Sequence, residues 1–330
     1  MNDSILNRAQ NDRGVSLIVV LWIMSILIMI VFEFVYTMRV EGSAVRNFQD
    51  EVSAYYLAIA GINIGLSEIA GKYKFVGLGA DGQLLFLTKD AGEVKPIEFK
   101  REFNLGQGVV SYTLQDERGK LNINTAKREM IVSLLRDTGV EESERDVIAD
   151  SVLDWRDPNK EFHRLNGAKD DYYQTLPQPY NAKNGPFDTS EELLLVRGMN
   201  PEMFYGIGKV PPQFGLPRNL PDQTLHAYTG MMDFLTVRGD DKININTADE
   251  KVLRAVLGEG RAQEVLLRRT TVGYYELPVY GGIVSSNSFS IYSKGDIRGI
   301  RVGLHAIVER QPGTAEFLIK YWNEEGISSD

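Results

Sequence analysis

From Val15 to Phe32 the chain carries no charge, and only Ser16 and Ser25 are polar. As a helix at about 1.5 Å per residue this block is roughly 27 Å long, one hydrocarbon thickness. Its exit, Phe32-Glu33-Phe34-Val35-Tyr36-Thr37-Met38-Arg39, is neither small nor loop-like, so the block predicts a retained anchor rather than a secretory signal peptide. Helical patterning continues past it. Val45, Phe48, Val52, Tyr55, Ile59, Ile62, Leu66 and Ile69 recur at alternating three- and four-residue steps. That predicts an apolar stripe for a sheet or a second helix, with Arg46, Asp50, Glu51 and Glu68 on the solvated side. A coiled-coil stalk uses the same rhythm. Gly61 and Gly65 favour close packing instead, since glycine costs about 1 kcal/mol in a helix interior. One helix over 15–70 thus runs from lipid onto a folded domain.

After Gly71 the period shortens to that of strands. Lys74–Leu78, Leu84–Thr88, Ile97–Phe103 and Val109–Leu114 form one group, with Asp81-Gly82 as a hairpin signal. Phe289–Ser293, Arg301–Glu309 and Phe317–Trp322 form another, with a turn expected at Lys294-Gly295-Asp296. The two groups suit one antiparallel sheet laid on the stripe, which makes the region between them an insertion. That region, roughly Leu121 to Arg269, reads as helical. It contains a repeat: Lys120-Leu-Asn-Ile-Asn-Thr-Ala126 returns as Lys242-Ile-Asn-Ile-Asn-Thr-Ala248. The long offset points to two related modules rather than a solenoid. Thr125 and Thr247 are expected as helix N-caps, with Glu129 or Glu250 in the first turn. Met130, Ile131, Leu134 and Leu135 mark the apolar face of one following helix, and Val252, Leu253, Val256 and Leu257 that of the other.

Each copy, followed by a helix, a glycine turn and a second helix, resembles helix-hairpin-helix modules, many of which bind DNA phosphates through turn N–H groups. Gly258-Glu259-Gly260-Arg261, with Arg268 and Arg269 beyond, suits that chemistry better than Thr138-Gly139-Val140, where Glu141 and Glu142 follow at once. Those carboxylates, and a net charge of −9, disfavour nucleic acid as a partner. With 330 residues the chain has material for about two domains. The absence of cysteine excludes disulfides and thiol chemistry. His163, His226 and His305 are scattered, and no nucleophile triad, histidine pair, phosphate loop or dinucleotide glycine pattern occurs, so an enzyme is not expected.

Residues 1–14 are polar, carry Arg8 and Arg13, and end on Gly14. They resemble the class III, prepilin-like leader, which a membrane aspartyl peptidase cuts after the glycine while the apolar helix stays on the mature protein. The resemblance implies cleavage between Gly14 and Val15 and makes Val15 a candidate for N-methylation. Further on come Asp154-Trp155-Arg156-Asp157, then Gly167-Ala168-Lys169-Asp170-Asp171-Tyr172-Tyr173, then Asn184-Gly185-Pro186-Phe187, then Glu191 to Met199, read as a capped helix. With the leader and the repeat, these segments resemble the K-type minor pseudopilins of type II secretion, the general secretion pathway protein K family, over nearly the whole chain. Val19 agrees: most prepilin-class helices carry a glutamate there, and K-type subunits typically lack it. A lone carboxylate in lipid costs about 2.5–3.5 kcal/mol, so it is kept only where a neighbour pairs with it.

The resemblance implies an α+β, pilin-like fold with an inserted α-domain. Its expected parts are a cleaved leader (1–14), a transmembrane and packing helix (15–70), a β-domain (71–119 and 270–330) and the insert (120–269). It implies a single-pass protein of the bacterial inner membrane, N-terminus cytoplasmic and folded part periplasmic. The implied role is to cap the pseudopilus tip with the I and J minor pseudopilins, which requires prepilin peptidase and the inner-membrane assembly platform. A membrane-anchored helix-hairpin-helix DNA receptor is the alternative. Calcium is the one candidate cofactor: Asp157 and Asn159 alternate as in calcium loops, and Asp170 and Asp171 could close the site. Lys169 stands where the family often has an acid, leaving that ligand set one short.

Overall fold

A computed structural model describes residues 3–71, 75–79, 82–90, 93–161, 163–211, 228–271, 273–311, 313–314 and 316–329. Lys74, Asp81 and His226, all singled out above, lie outside the described residues. The apolar block and the stripe form one helix, α1 (Asp3–Ala70), which already includes Gly14 and Val15. It is followed by β1 (Phe75–Leu78), β2 (Leu84–Asp90) and β3 (Glu93–Ile97), then by β4 (Glu102–Leu105) and β5 (Gly108–Asp116). The chain closes with β8 (Ser288–Ile297), β9 (Ile300–Arg310) and β10 (Phe317–Ser329). Between β5 and β8 lie β6 (Leu121–Asn122), α2 (Arg128–Asp137), α3 (Glu142–Arg156), α4 (Asp170–Tyr173), α5 (Pro201–Tyr205), β7 (Leu235–Thr236), α6 (Glu250–Leu257) and α7 (Glu259–Thr271).

The strands do not make the single sheet expected. β1, β2 and β3 form a three-stranded antiparallel sheet of their own, while β10-β9-β8-β5-β4 is a five-stranded antiparallel sheet. The stretch Ile97–Phe103, read as one strand, splits between the two sheets, with residues 98–101 outside either strand. α1 packs across β8, β9 and β5. β5 alternates buried and half-buried positions along its length, as a strand under a helix should.

The turn expected at Lys294-Gly295-Asp296 is instead the middle of β8. The chain reverses at Arg298-Gly299, where both residues have positive φ, +51° and +88°. Two successive left-handed residues are what a tight two-residue hairpin needs. Gly295 serves a different purpose: a Cβ there would lie 2.0 Å from the Ala54 carbonyl oxygen, so the missing side chain lets α1 approach the sheet.

Among the described residues two large hydrophobic cores result, with a small cluster of Ala54, Ile297 and Val302 beside them. One lies between α1 and the sheets, built from Ala58, Ile62, Ile69, Phe86, Leu114, Ile291 and Leu304. The other lies within the insert, from Leu121 and Ile123 to Val265 and Tyr275. β5 and β8 are paired neighbours, Asp116 opposite Phe289, so the insert must leave and return at one place.

Candidate functional site

Between Leu17 and Phe48, α1 presents its large apolar side chains to solvent, Trp22, Met29 and Phe32 among the most exposed. An 18-residue window of this helix has a mean hydropathy of 2.8 and none of it is buried. Burial begins at Ala54. The buried face is Ala54, Ala58, Gly61, Ile62, Gly65, Glu68 and Ile69, rotated from the predicted stripe, of which Val45, Phe48 and Val52 remain exposed. Small residues line it because the sheet comes close: a Cβ on Gly61 would meet Ser293 Oγ at 2.1 Å.

Glu68, expected in solvent, is buried. Its carboxylate accepts from Arg101 Nε at 3.2 Å and from the Tyr112 hydroxyl at 2.9 Å. These are charge-assisted bonds in a shielded place, where a burial without partners would cost several kcal/mol. Periodicity marks Glu68 as polar but carries no signal of partners so far along the chain. Asp50, also expected in solvent, is mostly covered, one turn before Ala54, and pairs with Arg298 at 3.1 Å.

The two repeat copies are built alike. In each, the first asparagine accepts from the backbone N–H of the second, Asn122 from Asn124 at 2.9 Å and Asn244 from Asn246 at 3.1 Å. The second asparagine then clamps a later loop in both directions. Asn124 accepts from Phe187 N and donates to its carbonyl at 2.7 and 3.0 Å, and Asn246 does the same with Tyr275 at 2.9 and 3.0 Å. An arginine from the end of each following helix pair returns to the repeat's carbonyls. Arg156 donates to Ile123 and Ala126, and Arg269 to Ile245 and Ala248.

The threonines are not N-caps. Lys127 and Asp249 occupy those positions, and only Asp249 accepts a side-chain bond, from Lys251 N. Thr247 Oγ1 instead donates to Asp116 at 2.6 Å, beside Asn244 Nδ2 at 2.9 Å. The second copy thereby closes on the end of β5, where the first begins. Burial raises the Asp116 pKa, and the bonds from Thr247, Arg118 N and Asn244 oppose it. Neighbouring Glu117 is buried too, which pushes its pKa up; the charge and hydrogen bond of Lys120, 2.7 Å away, with the bonds from Ser290 and Thr236, together hold it down. Glu117 also accepts from Ser290 Oγ of β8 at 2.6 Å, tying the insert to the sheet.

The arginines that suit a phosphate are engaged elsewhere. Arg269 holds the repeat carbonyls, Arg268 lies over the Tyr275 ring at 4.6 Å, and Arg261 over Tyr280 at 5.4 Å. Glu259, within the turn, pairs with Arg254 at 3.2 Å.

The aromatic residues of the distinctive segments meet in one cluster: Trp155 is edge-on to Tyr173 at 5.3 Å and stacked with Phe187 at 6.4 Å. Thr189 and Glu192 form a capping box on a 3₁₀ turn, Ser190–Leu195, where a longer helix was expected. Of the four candidate calcium ligands, Asn159 and Asp171 are exposed. Asp157 Oδ1 accepts from Asn159 N at 3.0 Å, and Asp170 Oδ1 from Ala182 N at 2.8 Å. Lys169, next to Asp170, is buried. Among the described residues, no group of three or more His, Asp or Glu side chains is placed to hold a metal ion.

Residues 103–208 match the family model described as type II secretion system (T2SS), protein K. No curated protein matches the chain. Among solved structures, it is similar to a chain of the GspK-GspI-GspJ complex from the enterotoxigenic Escherichia coli type 2 secretion system, with a TM-score of 0.57 and 16% identity over 86% of this chain and 99% of that one. At that identity the likeness is one of fold. The protein K match spans β4, β5, the first repeat module and α5, on a chain whose fold is that of the solved structure.

Proposed function

We propose that this chain caps the tip of a periplasmic pseudopilus together with I-type and J-type minor pseudopilins, and so supports protein export across the outer membrane. One observation carries the reading: a single helix whose second half is buried on a sheet while its first half is uncovered and apolar. A surface of that size is stable only in lipid or against other apolar helices. A filament subunit needs both states in turn, lipid before assembly and neighbouring helices after it. The solved relative is named as a complex of K, I and J subunits, which supports the same partner class here.

In this reading residues 1–14 face the cytoplasm, prepilin peptidase cuts between Gly14 and Val15, and the rest is drawn from the inner membrane by the assembly platform. The folded part is periplasmic. Its role is structural rather than catalytic. The DNA-receptor reading draws no support from Arg261, Arg268 or Arg269, each of which has an internal partner.

The test is purification from native membranes with mass analysis of the N-terminus. The expected product begins at Val15 and co-purifies with two further pilin-like subunits. A chain that still begins at Met1 and comes alone would end the filament reading.

A further inference from the structure

In the loops around Asp157 and Asp170, three carboxylates surround a buried cation from the chain itself. Lys169 is 3% exposed. Its ammonium donates to the Asp157 carbonyl at 2.6 Å and to Asn184 Oδ1 at 2.9 Å. Asp157, Asp154 and Asp170 all stabilise its charge against the burial that lowers its pKa. Arg164 adds a second cation, 2.6 Å from Asp154 Oδ1 and 3.7 Å from Asp157 Oδ2.

A calcium ion needs six to eight oxygen ligands. Most of the oxygens that could converge here are already bonded. The Asp157 carbonyl and Asn184 Oδ1 accept from Lys169, both Asp154 oxygens accept from Arg164, and Asp170 Oδ1 accepts from Ala182 N and Asn184 Nδ2. A divalent ion entering this cluster would also meet the like charge of the ammonium. The residues present therefore do not fit calcium.

We propose that the Lys169 ammonium takes the place of a bound divalent cation and fastens the 154–170 segment to the 182–187 segment without metal. The ammonium joins two stretches that must meet for Trp155 to stack on Phe187. Asn184 supports the design: with φ at +53°, its side-chain oxygen accepts from the ammonium while its amide nitrogen donates to the Ala182 carbonyl at 2.9 Å. A tethered cation is always present at unit occupancy, so this part of the fold becomes independent of free calcium. The proposal stands apart from the filament reading and needs only the fold.

Thermal unfolding of the detergent-solubilised full chain, in excess EDTA and in millimolar calcium, tests it. The wild type is expected to unfold at the same temperature in both. Lys169→Met should unfold at a lower temperature in both, since it leaves carboxylates and two oxygens facing an uncharged chain. Lys169→Asp should be least stable in EDTA and regain stability with calcium, because it restores an acidic cage. A wild type stabilised by calcium overturns the proposal, as does a Lys169→Met variant as stable as the parent. A folded Lys169→Asp variant indifferent to calcium also overturns it, for then the cluster is no cation cage.

Discussion

His305 illustrates how a residue without any motif acquires a measurable property. Its ring stacks on Tyr292 at 4.0 Å between centroids and stands edge-on to Tyr321. Burial, reinforced by the Lys120 ammonium, pushes its pKa down to about 4, with Glu117 acting the other way. The unfolded chain has an ordinary histidine near 6.5, about the usual value. Below that pH the unfolded state binds a proton that the folded state refuses. Stability is therefore untouched by this group above about pH 6.5 and declines as pH falls towards 4, by at most about 1.4 kcal/mol per pH unit. His305→Gln should flatten that decline. Denaturant unfolding of both proteins across the acid range checks it, and identical slopes would refute the assignment. Sequence reading could set His305 aside as scattered but not foresee its neighbours.

At the scale of elements, α1 and β8 show where periodicity succeeds and where it slips. The long helix, its lipid half and its packed half all follow from the spacing of apolar residues. The packed face itself is turned, because a helix laid on a sheet is governed by how close the backbones can come, and small residues decide that. Gly61 therefore faces Ser293 and Val110, while Gly42, in the same helix, has nothing within 4 Å of an added Cβ. Gly61→Val should lose about 1–3 kcal/mol by forcing α1 off the sheet. Gly42→Ala should cost nothing and gain up to about 1 kcal/mol from helix propensity. Urea unfolding in detergent separates them; equal effects at the two sites would mean the helix does not seat as described. Gly295 misled in the opposite way: flanked by Lys294 and Asp296 it has turn composition, yet its lack of a side chain serves the same close approach from the sheet side.

At the scale of the whole molecule, two cores share one polar junction. Asp116 ends β5 and accepts from Asn244 and Thr247 of the second repeat, and Glu117 beside it accepts from Ser290 of β8. The repeat thus works as a fastening for an insert whose ends must meet. The apolar half of α1 contributes to neither core. A chain starting at Gln49 should accordingly stay in aqueous solution and unfold cooperatively, whereas the full chain should need detergent. Sedimentation of the two in detergent-free buffer is the check. Aggregation of the shortened chain would show that the cores depend on the segment removed.

Taken alone, the order of residues determined the long apolar helix, the strand-rich flanks, the helical insert and the paired modules. Each of these depends on spacing within a few turns or strands, which local geometry converts directly into a face. The distinctive aromatic segments were also visible, though not that Trp155, Tyr173 and Phe187 meet. Tertiary structure alone decided the partners of the buried polar groups: Glu68 with Arg101 and Tyr112, Asp116 with Asn244 and Thr247, Lys169 with Asn184. Those pairings join positions from different elements, and a charge is stable inside a protein only where the fold brings its complement. The physical reason is that hydrophobic burial is set mostly by local pattern, whereas polar satisfaction is set by which distant segments come to lie side by side.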